Sequence, residues 1–109
     1  MDVHGSAPDG TAANAVMSGD WSGRLIFLTS SCVGCRPVWR SLAPESAVVV
    51  VTPSPSTESA QAVAAVAPAS VPVIMSSEGW HAYGVTVAPW AVEVVAGTVV
   101  AEGAAGEHG

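Results

Sequence analysis

The chain contains no lysine and only three arginines, which are Arg24, Arg36 and Arg40. Nine acidic residues oppose them, so the formal net charge is −6 at pH 7. Proteins that bind nucleic acids neutralise phosphates with clustered basic side chains, and anionic membrane surfaces are bound in the same way. The scarcity of cations therefore argues against nucleic-acid binding and against membrane contact by this chain.

Long apolar runs are also missing, although half of the residues are hydrophobic. No run approaches the roughly 20 residues that a helix needs to cross a bilayer. The first 20 residues are rich in Gly, Ala, Ser and Asp, and they lack the basic start and apolar stretch of a secretory signal. We therefore predict a flexible leader over residues 1–22, one domain over 23–103 and a disordered tail over 104–109.

The two cysteines of the chain, Cys32 and Cys35, are separated by two residues. They follow the apolar run 25–28, which predicts a strand, and they precede a predicted helix over 33–42 that Ser31 is placed to cap. Unpaired N–H groups and the helix dipole favour the thiolate of a cysteine at a helix start. A second thiol one turn later can close a disulfide, so the pattern predicts thiol–disulfide exchange.

Two other interpretations of the cysteine pair remain open. The pair has the spacing of half a structural zinc site, which usually needs a second pair of ligands. The remaining candidates are His4, His81 and His108, two of which lie near the chain ends. A purely structural disulfide is the other alternative, but it would close a very short loop and stabilise the fold little.

Strands and helices alternate along the remainder of the chain. The all-valine stretch 48–51 predicts a central, buried strand, and Gly84 fits the left-handed residue that ends a helix. The predicted elements are strand 24–29, helix 33–42, strand 47–52, a helix from Thr57 to Pro68, strand 71–75, helix 79–83 and hairpin strands 90–95 and 98–101. This order predicts an α/β fold with parallel strands joined by right-handed crossovers and an antiparallel edge.

Two segments carry a resemblance to a known family. They are Gly23–Leu28 leading into Ser31-Cys32-Val33-Gly34-Cys35-Arg36-Pro37, and Tyr83-Gly84-Val85 followed by Thr86-Val87-Ala88-Pro89 before a hairpin. Over residues 23–102 the chain resembles the thioredoxin-like superfamily, and more closely its TlpA/ResA branch of extracytoplasmic thiol–disulfide oxidoreductases. The resemblance implies a central mixed sheet flanked by helices.

The resemblance also implies roles for individual residues. Cys32 is the attacking thiolate and Cys35 the buried resolving thiol, and their redox-active disulfide takes the place of a cofactor or metal. The Ala88–Pro89 peptide bond is expected to be cis and to lie against the cysteines. Ala88, Pro89 and Trp90 are then the expected substrate-binding residues.

Ser31 and Arg36, on either side of the cysteine pair, are the expected supporting residues, and Arg36 is a candidate to favour the thiolate electrostatically. The chain departs from the family at three points. Ser31 replaces the usual tryptophan, and Ile26 stands where many thioredoxins carry a buried acid. No closing helix follows Ala101, so we expect either that one face of the sheet is undercovered, which would invite dimerisation, or that the early helices are rearranged to protect it.

Protein substrates with thiols or disulfides, together with an upstream redox partner protein, are the partners that the resemblance implies. The implied location is an extracytoplasmic domain of a membrane-anchored parent, with the cytoplasm as the alternative. Two further functions remain open. The cysteines, with His81, could hold copper or zinc for delivery to another protein, or the domain could serve only protein interaction.

Overall fold

One seven-stranded mixed sheet organises the chain, and a computed structural model describes residues 3–15, 21–42, 47–68 and 71–104. The strand order is β2-β1-β5-β4-β3-β6-β7. The strands are β1 (Val3–Ser6), β2 (Ala12–Ala15), β3 (Gly23–Phe27), β4 (Val48–Thr52), β5 (Val73–Met75), β6 (Trp90–Val95) and β7 (Thr98–Ala104). Strands β3, β4 and β5 are parallel, and β6 and β7 add the antiparallel edge. The predicted α/β class is confirmed, and so are the parallel central strands with an antiparallel edge formed by the last two strands.

The central position of β4 follows from its composition. All five of its residues are buried, and it pairs in parallel with β3 on one side and β5 on the other. Valine is β-branched and suits a pleated strand that is covered on both faces. The prediction of a central, buried valine strand is confirmed.

Three short helices cover the two faces of the sheet. They are α1 (Cys35–Ser41), α2 (Ala60–Val66) and α3 (Ser77–Ala82). Helices α1 and α2 pack with Ile26 and Val50 on what we call the first face. Helix α3 lies on the second face, where its Gly79 approaches Val3 and Val51. Among the described residues, no helix is long and apolar enough to cross a membrane.

The predicted flexible leader is wrong for residues 3–15. These residues form the β1–β2 hairpin, and β1 joins the sheet by pairing with β5 at Ser6 and Met75. Val3 is fully buried, and at the turn the Asp9 carboxylate accepts hydrogen bonds from Thr11. The strands are short and alanine-rich, so their stability comes from the open edge of β5 and not from a local pattern.

The other two domain boundaries also change. Trp21 and Ser22 were predicted to belong to the leader, but both bond to the β6–β7 turn. The Trp21 carbonyl accepts from Gly97 N–H at 2.8 Å, and the Ser22 hydroxyl oxygen accepts from Ala96 N–H at 2.9 Å. Ala104, placed in the tail, is the last residue of β7. The predicted leader residues 1–2 and 16–20 and tail residues 105–109 lie outside the described residues.

The undercovered part of the sheet is polar. Arg24 lies on the first face two residues before Ile26, and its Nε is 3.8 Å from Glu93 Oε2 on the neighbouring strand. The side chains of Arg24 and Glu93 are 45% and 53% exposed, and the adjacent residues on β7 are small, Ala101 and Gly103. In the described part of the chain no helix covers this region. The apolar exposure at this edge of the sheet comes from three valines, Val95, Val99 and Val100.

We expect Gly5→Ala to destabilise the fold. A Cβ at Gly5 would clash with the carbonyl oxygen of Met75, so β1 would have to move away from β5. The free energy of unfolding should fall by about 1–3 kcal/mol, as for other overpacked sites. Gly103→Ala is the matched control, because no atom lies within 4 Å of its added Cβ. Equal urea midpoints for the two variants would contradict the described docking of the hairpin.

Candidate active site at the cysteine pair

The cysteines lie where β3 passes into α1. Cys35 N–H donates to Cys32 O at 3.1 Å, which closes a turn before the helix. Helix α1 begins at Cys35, and its N-cap, Gly34, makes no side-chain capping bond. The predicted cap at Ser31 is therefore wrong, and Cys32 lies in the turn before the helix and not in its first turn. Ser31 is exposed.

The two thiols have different surroundings. Cys32 is partly exposed, whereas Cys35 is fully buried in the core of the first face beside Ile26 and Trp39. Burial raises the pKa of Cys35 to about 12, and the neighbouring thiol of Cys32 raises it further in the same direction. Cys35 is therefore held as a neutral thiol, and the accessible sulfur of the pair is that of Cys32.

Thr29, which the sequence analysis did not single out, organises this loop. Its hydroxyl oxygen accepts from Cys32 N–H at 3.2 Å, and its carbonyl accepts from the indole N–H of Trp39 at 3.0 Å. Its backbone and side chain also hydrogen-bond to Cys35 and lower the pKa of that thiol, against the larger effect of burial. The only available signal in the sequence was a hydroxyl residue between the first predicted strand and the cysteines.

The 84–89 segment, which we call the cis-proline loop, contacts the cysteines from the side opposite the 28–34 loop. Its Ala88–Pro89 peptide bond is cis, and the Cys32 thiol donates to the Ala88 carbonyl at 3.6 Å. A Cβ built on Gly34 would lie 3.4 Å from Pro89 Cδ, so the two loops are in close contact. The loop begins at Gly84, which has the predicted left-handed conformation with φ of +66°. The structure thus brings Ala88 and Pro89 to the cysteine pair.

Trp90 is not brought to the pair. It packs with the core of the second face, next to Val92 in the alternation of β6. Its indole N–H donates to Glu102 Oε1 on β7 at 3.1 Å. The expected substrate-lining role of Trp90 is therefore not supported by its position, because strand alternation turns it to the face opposite the cysteines.

A carboxylate fixes the start of the cysteine loop, which is the 28–34 segment between β3 and α1. Glu58, just before α2, accepts from the N–H and the hydroxyl of Ser30, both at 2.8 Å. Ser59 N–H donates to the same carboxylate at 3.0 Å. Ser30 and Glu58 are 28 residues apart, and no local pattern in the sequence indicated this contact.

Within the part of the chain that the structure describes, no acid accompanies Cys35 in the core. Ile26 packs in the cluster that contains Cys35, as its place in the sequence suggested, and the buried polar side chains of the described part are those of Thr52 and Ser76. Arg36 follows Cys35 on α1 with its side chain exposed. The polar contacts of the Cys35 sulfur are therefore Thr29 and the thiol of Cys32.

His81 does not join the cysteines. It lies on α3 at the second face and lines a cavity of about 240 Å³ with Trp80 and Thr86. The described residues contain no group of three His, Cys, Asp or Glu side chains that could hold a metal ion. His4 lies on β1, and His108 lies outside the described residues. Within the described ranges, therefore, no third ligand accompanies the two cysteines, as the metal-delivery alternative would require.

Alkylation should distinguish the two thiols. With iodoacetamide at pH 8, we expect one adduct, at Cys32, because Cys35 is buried and has a pKa of about 12. A thiol with such a pKa is ionised at pH 8 in about one molecule in ten thousand. Raising the pH should accelerate modification of Cys35, and unfolding in guanidinium should expose both thiols. Peptide mass mapping gives the result, and equal modification of both cysteines in the folded protein at pH 8 would contradict the structure.

Thr29→Val should slow the release of a substrate bound to Cys32. The variant loses the hydroxyl that favours ionisation of Cys35, so the pKa of that thiol rises and its attack on a mixed disulfide slows several-fold. Thr29→Ser keeps the hydroxyl and serves as the matched control. The decay of a preformed mixed disulfide at Cys32 is followed by mass spectrometry. Similar decay rates in the Val and Ser variants would exclude this role for the hydroxyl.

Comparison of the sequence with family models and with curated proteins gives no match. Solved structures do match, at low identity. Etrx1, the exposed lipoprotein thioredoxin of Streptococcus pneumoniae strain TIGR4, has a TM-score of 0.67 and 16% identity over 95% of this chain and 89% of its own. A protein assigned as the thiol:disulfide interchange protein DsbE of Chlorobium tepidum has a TM-score of 0.69 and 20% identity over 95% and 81%.

StoA of Bacillus subtilis is a third similar structure, with a TM-score of 0.65 and 19% identity over 95% of this chain and 87% of its own. In each of the three cases 95% of this chain is matched. The similarity extends to the arrangement of strands and helices, and not to a close sequence relationship. The chain therefore has the thioredoxin-like fold.

Proposed function

We propose that the protein is a thiol–disulfide oxidoreductase in which Cys32 and Cys35 cycle between a dithiol and a disulfide. The observation that carries this proposal is the asymmetry of the pair. The partly exposed Cys32 thiol lies 3.6 Å from the Ala88 carbonyl of the cis-proline loop, while Cys35 is buried behind it. Such an arrangement separates an attacking thiol from a resolving one.

In the reductive direction, the Cys32 thiolate attacks one sulfur of a substrate disulfide. A Cys32–substrate disulfide forms, the substrate S–S bond breaks, and the other substrate sulfur leaves as a thiolate that takes up a proton. Cys35 then loses its proton and attacks Cys32 Sγ. The Cys32–Cys35 bond forms, the Cys32–substrate disulfide breaks, and the second substrate sulfur leaves as a thiolate that takes up a proton, so two electrons have passed to the substrate. Oxidation of a substrate dithiol is the same sequence reversed.

The surface around Cys32 supports a protein substrate. Val33 and Val87, which flank the reacting sulfur on the two loops, are 80% and 55% exposed. Apolar side chains exposed beside a reactive thiol suit an extended peptide segment, which could also pair with the backbone at Ala88. A second partner protein must restore the redox state of the cysteines after each turnover.

We further propose an extracytoplasmic location. One support is that a structure of the same fold is named an exposed lipoprotein and another a thiol:disulfide interchange protein. Disulfide exchange with protein substrates is also chemistry of oxidising compartments outside the cytoplasm.

The redox equilibrium against glutathione tests the proposed function. We expect a reversible two-electron transition in the wild type, read by thiol alkylation and by tryptophan fluorescence. A potential of about −270 mV would indicate a reductant and one of about −120 mV an oxidant. Cys35→Ser should accumulate a mixed disulfide at Cys32, whereas Cys32→Ser should not form one. Failure to form an intramolecular disulfide at any glutathione ratio would reject the proposal.

A further inference from the structure

Two of the three arginines line one cavity beside the cysteine loop. Arg36 and Arg40 are four residues apart on α1, so they lie on the same side of the helix. The cavity measures about 420 Å³. Its lining residues are Ser30, Arg36, Trp39, Arg40, Ala65 and Val66. The cavity is thus a space between α1 and α2 with cationic, aromatic and aliphatic walls.

The charge of these arginines is not neutralised within the described part of the chain. Arg24 pairs with Glu93, and it is the only arginine there with a carboxylate within 4.0 Å. This is unexpected in a chain with nine acidic residues and a net charge of −6. Arg36 and Arg40 therefore form a local positive region on a protein that is otherwise acidic.

The Ser30 wall of the cavity is held in place by Glu58. Both polar hydrogens of Ser30 are donated to Glu58, so the wall offers a ligand no further donor from Ser30. Glu58 is not within ion-pair distance of Arg36 or Arg40. The two guanidinium groups are therefore the available donors, and their geometry suits a carboxylate, which guanidinium can bind through two parallel hydrogen bonds.

We propose that this cavity binds a carboxylate carried by the disulfide substrate. The inference rests on the proposed function and names its substrate class. Two residues of the cavity wall are close to the cysteines in the sequence. Ser30 lies two residues before Cys32, and Arg36 follows Cys35 directly. A cavity of this volume accommodates an acidic side chain or a small peptide. The carboxylate has two sources, an acidic residue of a protein segment or a small peptide disulfide such as glutathione disulfide.

Single-turnover kinetics of the reduced protein test this inference without an upstream reductant. The substrates are two peptide disulfides that differ only by Glu or Gln beside the cysteine, glutathione disulfide, and the neutral bis(2-hydroxyethyl) disulfide. The measured quantity is the ratio of second-order rate constants for charged and neutral substrates. A general effect of Arg36 on the Cys32 thiolate would change both rates equally and leave the ratio unaltered.

We expect the Arg36→Gln/Arg40→Gln double variant to lower this ratio about threefold to tenfold, the range for losing one or two exposed ion pairs. High salt should lower the wild-type ratio in the same way, because exposed charges are screened. Arg24→Gln is the control for net charge, since it removes one arginine charge, as each single cavity variant does, but from the open part of the sheet beside Glu93. It should leave the ratio at the wild-type value.

The outcomes distinguish the two carboxylate sources. They also distinguish a failure of this inference from a failure of the proposed function. A loss confined to the Glu peptide supports a protein carboxylate, and a loss confined to glutathione disulfide supports a small peptide. Equal ratios in the wild type and the double variant would overturn the inference. If no disulfide reacts, the proposed function fails, and NMR titration of Cys32→Ser with the Glu peptide still decides the site. Shifts of the Arg36 and Arg40 Nε–H signals support it, and their absence rejects it.

Discussion

Thr29, two residues beyond the end of β3, is the constraint on which the site depends. One residue bonds to the backbone of Cys32, to the indole of Trp39 on α1, and to the sulfur of Cys35. The strand that leads to Thr29 is itself fixed between two neighbours, with β4 parallel on one side and β6 antiparallel on the other. The rigidity of the sheet is thereby transmitted to both thiols, which is how a scaffold preorganises reactive groups on a loop.

The same placement explains why the two thiols differ. Cys32 lies in the turn before α1 and remains accessible, whereas Cys35 begins the helix and points into the core of the first face. An apolar neighbour such as Ile26 cannot accept the proton of Cys35, and only Thr29 offsets the effect of burial. The accessible thiol is thus Cys32, which under the proposed function makes the first attack and leaves Cys35 to resolve the mixed disulfide.

Sequence reasoning predicted the elements whose signals are local. The valine run of β4, the left-handed Gly84 and the β6–β7 hairpin each depend on neighbouring residues, and each was found. The β1–β2 hairpin was missed because its short strands are stabilised by a distant edge. In the site, the cysteines were identified from their spacing, but the contact between Glu58 and Ser30 joins two loops that only the fold brings together. Long-range pairing of this kind has no periodic signature.

The loops around the cysteines form one connected network. The 53–59 segment holds Ser30 through Glu58 at one end, and at the other end Ser54 and Ser77 exchange hydrogen bonds of 2.9 and 2.8 Å. Ser77 begins α3, which leads into the cis-proline loop that contacts Cys32. The 28–34 loop, which carries Cys32, and the 84–89 loop opposite it are therefore linked through the 53–59 segment, at the same end of the parallel strands. Under the proposed function, a substrate held between these two loops meets surfaces whose separation is set by the fold. Binding therefore costs less conformational entropy.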